Sequence, residues 1–256
     1  TAYHYRVPAY MQFQTPYMRE VLDIVRKTLF VVDHTGSIGT PPELDDFQVR
    51  INQAVYTMGI GGLHSTEKSV AHRAVGGYKI FEVDVESYYP RIILNQELYP
   101  QHLGRDFLEI FGAIVERRLK AKHEGDKVTA DSLKITINGT FGKLGSQFSI
   151  LYAPDLLIQT TVSGQLSLLM LIEMLEMYGC QVISANTDGI MIKVHQDKAD
   201  VMRTVVKHWE SVTRFKTEET EFVGLYSKDV NNSLAIKPDG TFKGKGLYAN
   251  PWGAAK

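Results

Sequence analysis

Two aspartates stand where carboxylates could hold a divalent metal ion. Asp84 lies near the end of an aromatic and β-branched run, Tyr78 to Val85, and Asp188 belongs to the turn-forming tetrapeptide Asn186-Thr187-Asp188-Gly189. Hard cations such as Mg²⁺ take one or two carboxylates together with substrate phosphate oxygens and water. A sheet that joins the strand end to the turn would create such a site. Spacing alone leaves open the simpler interpretation of a strand-end residue and a solvated turn.

The elements around the two aspartates follow from local patterns. Residues 78–85 predict a strand because aromatic and β-branched residues favour strands, and Pro90 cannot continue a central ladder. The apolar runs 181–185 and 190–194 predict a hairpin with Asp188 at its tip. Turn residues at 229–232 and 237–240 predict two further hairpins.

Apolar residues at helical spacing predict helices over 16–32, 107–122, 129–141 and 197–215, with loops at 33–46 and 123–131. The second and third of these helices would form an antiparallel pair within residues 103–145. The most apolar window, 156–178, contains Gln159, Glu173 and Glu176, so it predicts a buried helix and not a membrane span.

Composition limits the class of protein. The chain has 256 residues, with 28 Lys and Arg against 29 Asp and Glu, so it is neither a polybasic arm nor an acidic tail. A hydrophobic share of 44% with 22% charged residues predicts a folded globular protein of one large or two small domains. The single cysteine, Cys180, excludes an internal disulfide framework and favours a reducing compartment.

Three segments, in order, resemble the polymerase motifs of family B DNA polymerases. The run Asp84-Val85-Glu86-Ser87-Tyr88-Tyr89-Pro90-Arg91-Ile92-Ile93 resembles motif A, D-x-x-S-L-Y-P-S-I-I. Lys134-Ile135-Thr136-Ile137-Asn138-Gly139-Thr140-Phe141-Gly142 resembles motif B, K-x-x-x-N-S-x-Y-G, and Asn186-Thr187-Asp188-Gly189 resembles the D-T-D-S core of motif C. The resemblance covers about residues 49–246. Flanking glycine-rich and Lys-Asp-Val-Asn-Asn segments resemble polymerases encoded by bacteriophages.

The resemblance implies roles for the residues of motif A. Asp84 and Asp188 would hold two Mg²⁺ ions, for which Mn²⁺ could substitute, with the carbonyl of Val85 as a further ligand. The backbone amides around Ser87 and Tyr88 would face the triphosphate of a nucleotide. Tyr89 matches the steric gate that excludes a 2′-hydroxyl. Ordinary core packing is the alternative for both tyrosines.

Basic residues on the helix pair match nucleotide-binding positions of the family. Arg118 and Lys122 are four residues apart, so they share a helix face and match a pair that binds phosphates. A solvated basic face is the alternative. Lys134 would contact the triphosphate and protonate pyrophosphate as a general acid. Asn138 and Phe141 would lie on the same face and line the nucleotide pocket.

The chain departs from the family pattern in three places. Gly59 replaces the tyrosine of a Y-x-G-G element that touches the template, so Gly61 and Gly62 are expected either to bind DNA or to form a structural turn. Asn186 replaces an acidic residue of motif C. The K-x-Y element that grips the primer is replaced by 228–233, where Lys228 is the candidate DNA contact. Three later lysines, at positions 237, 243 and 245, would face the primer duplex or water.

The resemblance implies an α+β fold: a polymerase palm with an antiparallel sheet backed by helices, plus an inserted antiparallel helix pair, the fingers. Residues 1–98 would form the N-terminal palm with motif A, 99–147 the fingers with motif B, and 148–256 the C-terminal palm with motif C. The chain is expected to be a piece of a longer polypeptide, without exonuclease or thumb.

The implied function is that of a DNA-directed DNA polymerase core, a nucleotidyltransferase that adds dNTPs to a primer 3′ end and releases pyrophosphate. Activity of the fragment alone is left open. Primer–template DNA and dNTPs are the expected partners, with replication accessory proteins as further candidates. We expect a monomer without a membrane partner, located in the cytoplasm, that of a host bacterium if phage-encoded.

Two other functions compete with this one. A catalytically degenerate polymerase-like module that only binds nucleic acid would account for Asn186 and for the missing K-x-Y tyrosine. A reverse transcriptase or RNA-directed polymerase ranks lower, because those enzymes have paired Asp-Asp turns where this chain has Asn-Thr-Asp.

Overall fold

The computed structural model describes residues 1–249. The last part of the predicted C-terminal palm, residues 250–256, lies outside the described residues. The helices are α1 Pro16–Lys27, α2 Tyr88–Asn95, α3 Asp106–His123, α4 Lys127–Lys143, α5 Pro154–Met177 and α6 Ala199–Thr213. The strands are β1 Ala2–His4, β2 Leu29–Val31, β3 Phe47–Ile51, β4 Ala54–Met58, β5 His64–Ser65, β6 Lys68–Arg73, β7 Tyr78–Val85, β8 Gln181–Asn186, β9 Gly189–His195, β10 Thr217–Phe222, β11 Gly224–Asp229, β12 Asn232–Ile236 and β13 Phe242–Lys245.

A seven-stranded antiparallel sheet carries both aspartates. Its strand order is β10-β7-β9-β8-β5-β4-β3. Strand β7 pairs with β9 in a register that sets Asp84 opposite Gly189, and with β10 in a register that sets Asp84 opposite Glu218. Strands β8 and β9 form the predicted hairpin around Thr187 and Asp188. The α+β fold with an antiparallel sheet backed by helices is confirmed.

Helix α5 lies in the core, as its apolar composition predicts. It is the one helix within residues 1–249 that is long and apolar enough to cross a membrane, yet 89% of its most apolar window is buried inside the protein. Its buried polar side chains have partners. Gln165, for example, bonds both the N–H (2.9 Å) and the carbonyl (2.8 Å) of Gly59. Trp209 of α6 donates to the carbonyl of Ser167 at 2.9 Å. These bonds join α5 to the elements on both of its sides.

Helices α3 and α4 form the predicted antiparallel pair around a second cluster of buried side chains, which includes Phe107, Phe111 and Ile137. The predicted loop 123–131 is wrong in length, because the turn occupies only 124–126. Asp126 caps α4 by accepting a hydrogen bond from the N–H of Thr129 at 3.1 Å. With this cap the helix begins at Lys127, two residues before the predicted start.

Two other elements differ from the sequence predictions. The first helix ends at Lys27 and not at Val32, because the β-branched and aromatic run 29–31 pairs with β1 as strand β2. Helix α2 directly follows β7 and was not predicted. Pro90 lies in its first turn, where a backbone N–H has no helical partner to lose. The C-terminal hairpins were predicted correctly and form a four-stranded sheet, β13-β12-β11-β6.

Glu173 of α5 offers a test of how the N-terminal segment is held. Its carboxylate is 1% exposed and accepts from Gln14 N, Thr15 N and Thr15 Oγ1 at 2.7–3.2 Å. Glu173→Ala leaves these donors without an acceptor, so we expect a loss of about 2–3 kcal/mol in unfolding free energy. Urea titration measures it. Glu20→Ala, on the exposed face of α1, is the control, and an equal effect of both variants would contradict the interpretation.

Candidate active site

The sheet brings the two predicted metal-binding aspartates together. The N–H of Val85, next to Asp84, donates to the carbonyl of Asp188 at 2.8 Å. A Cβ on Gly189, the residue after Asp188, would lie only 2.8 Å from Asp84 Oδ1. The Asp84 carboxylate fits here because Gly189 has no side chain. The strand end and the hairpin tip therefore form one site, which the spacing in sequence could not establish.

The pair is electrostatically unfavourable in the absence of a cation. Burial, and after it the neighbouring charges of Asp188 and Glu82, raise the pKa of Asp84 to about 7. The pKa of Asp188 is also raised, mainly by the protein packed around it, whereas Lys245 and Lys243 act to lower it. Two carboxylates that resist ionisation side by side are suited to a positively charged ligand.

A cavity of about 230 Å³ opens between the end of β7 and the helix pair; we call it the helix-side cavity. The predicted site residues that line it are Asp84, Val85, Ser87, Tyr88, Tyr89, Arg118, Lys122, Lys134, Asn138 and Asp188. Glu86 and Glu218 also line it, and their part was not predicted from the sequence. The structure thus collects the three motifs around one space, while the role of each residue stays a prediction.

The two cationic side chains of α3 that line this cavity differ in their hydrogen-bond and ion-pair partners. Arg118 donates from Nη1 to Ser87 Oγ at 3.1 Å, and its buried Nε is without a hydrogen-bond partner among residues 1–249. Lys122 contacts Glu218 at 2.6 Å and Glu86 at 3.8 Å. Within the described part of the chain, Arg118 thus has no competing carboxylate partner, whereas Lys122 must release carboxylates to bind an anion. The spacing predicts the shared face of the pair but not these partners.

The tyrosines of motif A separate into two environments. Tyr88 is buried, and its hydroxyl donates to the carbonyl of Gly164 at 2.6 Å, so its side chain has the core-packing role given as the alternative. Only its backbone remains for the predicted triphosphate contact. Tyr89 is half-buried at the cavity wall, where burial and Asp188 raise its pKa to about 12. Phe141 does not line the cavity; its ring packs on Tyr89, with centroids 4.9 Å apart.

Asp84 and Asp188 also border a second cavity of about 330 Å³ on the other side, the sheet-side cavity. Lys243 and Lys245 of β13 line it, and Lys243 contacts Glu82 at 2.8 Å. Their alternate positions on one strand predict a shared face, but not that this face turns toward the aspartates. Asn186 lines the same cavity.

The predicted DNA contacts lie outside the helix-side cavity. Lys228 is exposed, at the bulge where β11 pairs with β12, and lines neither of the two cavities. Gly61 faces open space, whereas Gly62 lies directly against Thr187 of the hairpin tip. The structural-turn alternative therefore fits Gly62, and the open surface at Gly61 leaves a template contact as a prediction.

The donor set fits a hard divalent cation. Among residues 1–249 no group of three or more His, Cys, Asp or Glu side chains is placed to hold a metal ion. Two carboxylates whose pKa values are raised, mainly by burial, supply only part of a coordination sphere together with the backbone of Val85. Mg²⁺ commonly takes few protein ligands and completes its octahedron with substrate phosphates and water.

No family model matches the chain, and no curated protein matches its sequence. Among solved structures it resembles the family B DNA polymerase from the hyperthermophilic archaeon Pyrobaculum calidifontis, with a TM-score of 0.54 and 14% identity. The match covers 82% of this chain and 30% of the polymerase chain. At this identity the likeness shows a polymerase-like fold, and the chain corresponds to less than a third of that protein's length.

The carboxylate pair predicts a pH-dependent stability in the absence of metal. Because the folded-state pKa of Asp84 is raised from 3.8 to about 7, the native state holds its proton more tightly than the unfolded state. The contribution of Asp84 to the stability of the wild type is therefore fully present below about pH 4 and is lost as pH rises through about 7. Asp84→Asn removes this contribution and is expected to be more stable at pH 8, by about 1–4 kcal/mol after solvent screening.

Urea titrations in a chelating buffer at pH 5 and pH 8 measure this difference. Asp131→Asn, on the exposed side of α4, is the matched control and is expected to change stability by less than about 0.5 kcal/mol at either pH. An Asp84→Asn protein less stable than the wild type at pH 8 would contradict the assigned electrostatics.

Proposed function

We propose that the chain is the palm and fingers of a family B DNA polymerase of the bacteriophage type, which adds dNTPs to a primer 3′ end on a DNA template. The observation that carries the proposal is the meeting of Asp84 and Asp188 between a cavity with three cationic side chains and a cavity with two lysines. Positive charge on one side of a metal site would neutralise the phosphates of a nucleoside triphosphate, and positive charge on the other side would neutralise the phosphates of the primer end.

In this proposal the helix-side cavity binds the nucleotide. Arg118, Lys122 and Lys134 bind the triphosphate oxygens, the backbone amides at Ser87 and Tyr88 orient them, and Lys134 gives a proton to the leaving pyrophosphate. Lys122 exchanges Glu218 and Glu86 for phosphate. The guanidinium of Arg118, which bonds Ser87 Oγ at the cavity wall, supports an anion at this place.

The metal ligands are Asp84, Asp188 and the carbonyl of Val85, for two Mg²⁺ ions or Mn²⁺ in their place. Bound cations would lower the pKa of the primer hydroxyl and neutralise charge on the pyrophosphate. Without a cation the pKa of Asp84 is raised to about 7. A bound cation would lower this pKa, so that the carboxylate is ionised at neutral pH and can act as a metal ligand.

Tyr89, Asn138 and Phe141 would shape the sugar pocket. The tilted contact between the rings of Tyr89 and Phe141 fixes Tyr89 at the cavity wall, where it can exclude a 2′-hydroxyl. Gly61 and Lys228 are the proposed contacts of the primer–template DNA, with Lys243 and Lys245 facing the primer end. Gly62, which packs against Thr187, keeps the structural role.

In the proposed domain division, residues 1–98 and 148–256 form the palm and 99–147 the fingers. The cluster of buried side chains around Phe111 joins the two, because it also includes Ile93, Leu98, Ala153 and Leu156. A monomer working in a bacterial host cytoplasm, with replication accessory proteins as partners, completes the proposal.

A nucleic-acid-binding module without chemistry is the second candidate, favoured by Asn186. That residue lies beside the aspartates in the sheet-side cavity and adds no charge, so the site has one carboxylate fewer than the motif C pattern.

Primer extension with Mg²⁺ and dNTPs separates the two candidates. We expect the intact parent protein to extend a primer and its Asp188→Ala variant to lose at least about 1,000-fold in rate, because one carboxylate cannot hold the metal pair. Asp131→Ala is the control and retains the rate. A wild type that binds primer–template DNA in a filter assay without extending it would favour the binding module instead.

Tyr89→Ala tests the sugar pocket. Removal of the ring opens space beneath the nucleotide sugar, so we expect ribonucleotide incorporation relative to deoxyribonucleotide incorporation to rise at least about tenfold. Single-nucleotide kcat/KM values for dNTP and rNTP measure the ratio. Tyr17→Ala, on α1, is the control. An unchanged ratio in Tyr89→Ala would remove the gate assignment.

A further inference from the structure

The turn that carries Asp188 is held from outside its own hairpin. Thr187 donates its N–H to the carbonyl of Leu63 at 2.8 Å, and His64 pairs with Asn186 in the β5–β8 ladder. Thr187 has φ of +45°, a conformation that β-branched residues rarely adopt. The hydrogen bond that Thr187 donates to Leu63 therefore supports a strained residue immediately before Asp188.

Gly62 allows this contact because it has no side chain. A Cβ at this position would lie 2.5 Å from Thr187 Oγ1 and 3.0 Å from Thr187 Cβ. The same atom on Gly59 or Gly61 would meet nothing within 4 Å. Gly62 is not among the residues with positive φ, so its requirement for glycine comes from the contact with the turn and not from its own backbone conformation.

The other end of this segment is fixed on the core helix. Gly59 is bonded through both its N–H and its carbonyl to the buried side chain of Gln165, and the carbonyl of Ile60 accepts from Thr161 Oγ1 at 2.9 Å. A continuous path of contacts thus leads from α5 through residues 59–63 to Thr187. Rigid support of this kind sets where a catalytic side chain points.

We propose that Gly62 and Leu63 are positioning residues for the Asp188 turn, and that their contact with Thr187 sets the geometry of the metal site. This inference rests on the proposed polymerase function and deepens it. It gives residues 62–63 a role in the metal site that does not depend on a contact with the template strand.

Gly62→Ala tests the inference. The added methyl group displaces Thr187, so we expect kcat for primer extension to fall about 10- to 100-fold and the Mg²⁺ concentration for half-maximal rate to rise about tenfold. The KM for primer–template DNA is expected to stay within about twofold. Gly59→Ala adds the same group to open space and is the matched control, with wild-type kcat, KM and Mg²⁺ dependence.

Rescue distinguishes positioning from general damage. Thr187→Gly removes the atoms that the methyl group meets and accepts a positive φ. The double variant Gly62→Ala/Thr187→Gly is expected to match Thr187→Gly alone within about twofold in kcat and Mg²⁺ dependence. Should Gly62→Ala fail to fold, the double variant must fold and extend primers.

Three results would overturn the inference. In the first, Gly62→Ala keeps the wild-type kcat and Mg²⁺ dependence. In the second, Gly62→Ala raises the KM for primer–template DNA and changes neither kcat nor the Mg²⁺ dependence. In the third, the double variant does not recover the kcat and Mg²⁺ dependence of Thr187→Gly. A wild type that extends no primer would instead refute the proposed function. In that case Mn²⁺ binding, followed by electron paramagnetic resonance without DNA, tests the inference through the same variants: weaker binding in Gly62→Ala and its recovery in the double variant support it, and unchanged binding overturns it.

Discussion

The burial of two neighbouring carboxylates is the constraint on which the rest of the structure depends. Burial, and after it the charge of Asp188, raises the pKa of Asp84, and burial also raises the pKa of Asp188. Such a pair persists in a fold only where other contacts hold it and a positive charge compensates it. The β7–β9 ladder, which sets Asp84 opposite Gly189, supplies the holding contacts. Lys243 and Lys245 supply part of the compensation, and a divalent cation would supply the remainder.

Cationic side chains approach the two aspartates from two sides, so the site has one positively charged cavity on each side of the carboxylate pair. Arg118, Lys122 and Lys134 approach from the helix pair, while the lysines of β13 approach from the four-stranded sheet. Glu86 and Glu218 already contact Lys122, so this cation is balanced before any anion arrives. An incoming phosphate group would compete with the exposed contact to Glu218 at small cost, since surface ion pairs are weak, whereas the side chain of Glu86 is only 10% exposed.

Local patterns predicted the elements that carry the chemistry. Aromatic and β-branched content located the strand before Asp84, and two apolar runs around turn residues located the hairpin that carries Asp188. The four-residue spacing placed Arg118 and Lys122 on one helix face. These features depend on neighbouring residues alone. Helix α2 was missed because Pro90 suggests termination, although the first turn of a helix tolerates proline.

What the sequence could not predict depends on long-range packing. The approach of Lys245 to Asp188, the contact of Glu218 with Lys122 and the fit of Gly62 against Thr187 each join residues that are distant in the chain. Periodicity carries no information about such pairs. The burial of the Tyr88 side chain likewise follows from its bond to Gly164, and the motif alone did not distinguish it from Tyr89.

Anomalous diffraction from crystals soaked with Mn²⁺, primer–template DNA and a non-hydrolysable nucleotide tests the central claim most directly. The account predicts manganese peaks about 2.0–2.3 Å from the carboxylate oxygens of both Asp84 and Asp188, in contact with the triphosphate. A nucleotide bound elsewhere, or manganese peaks that involve neither aspartate, would contradict it.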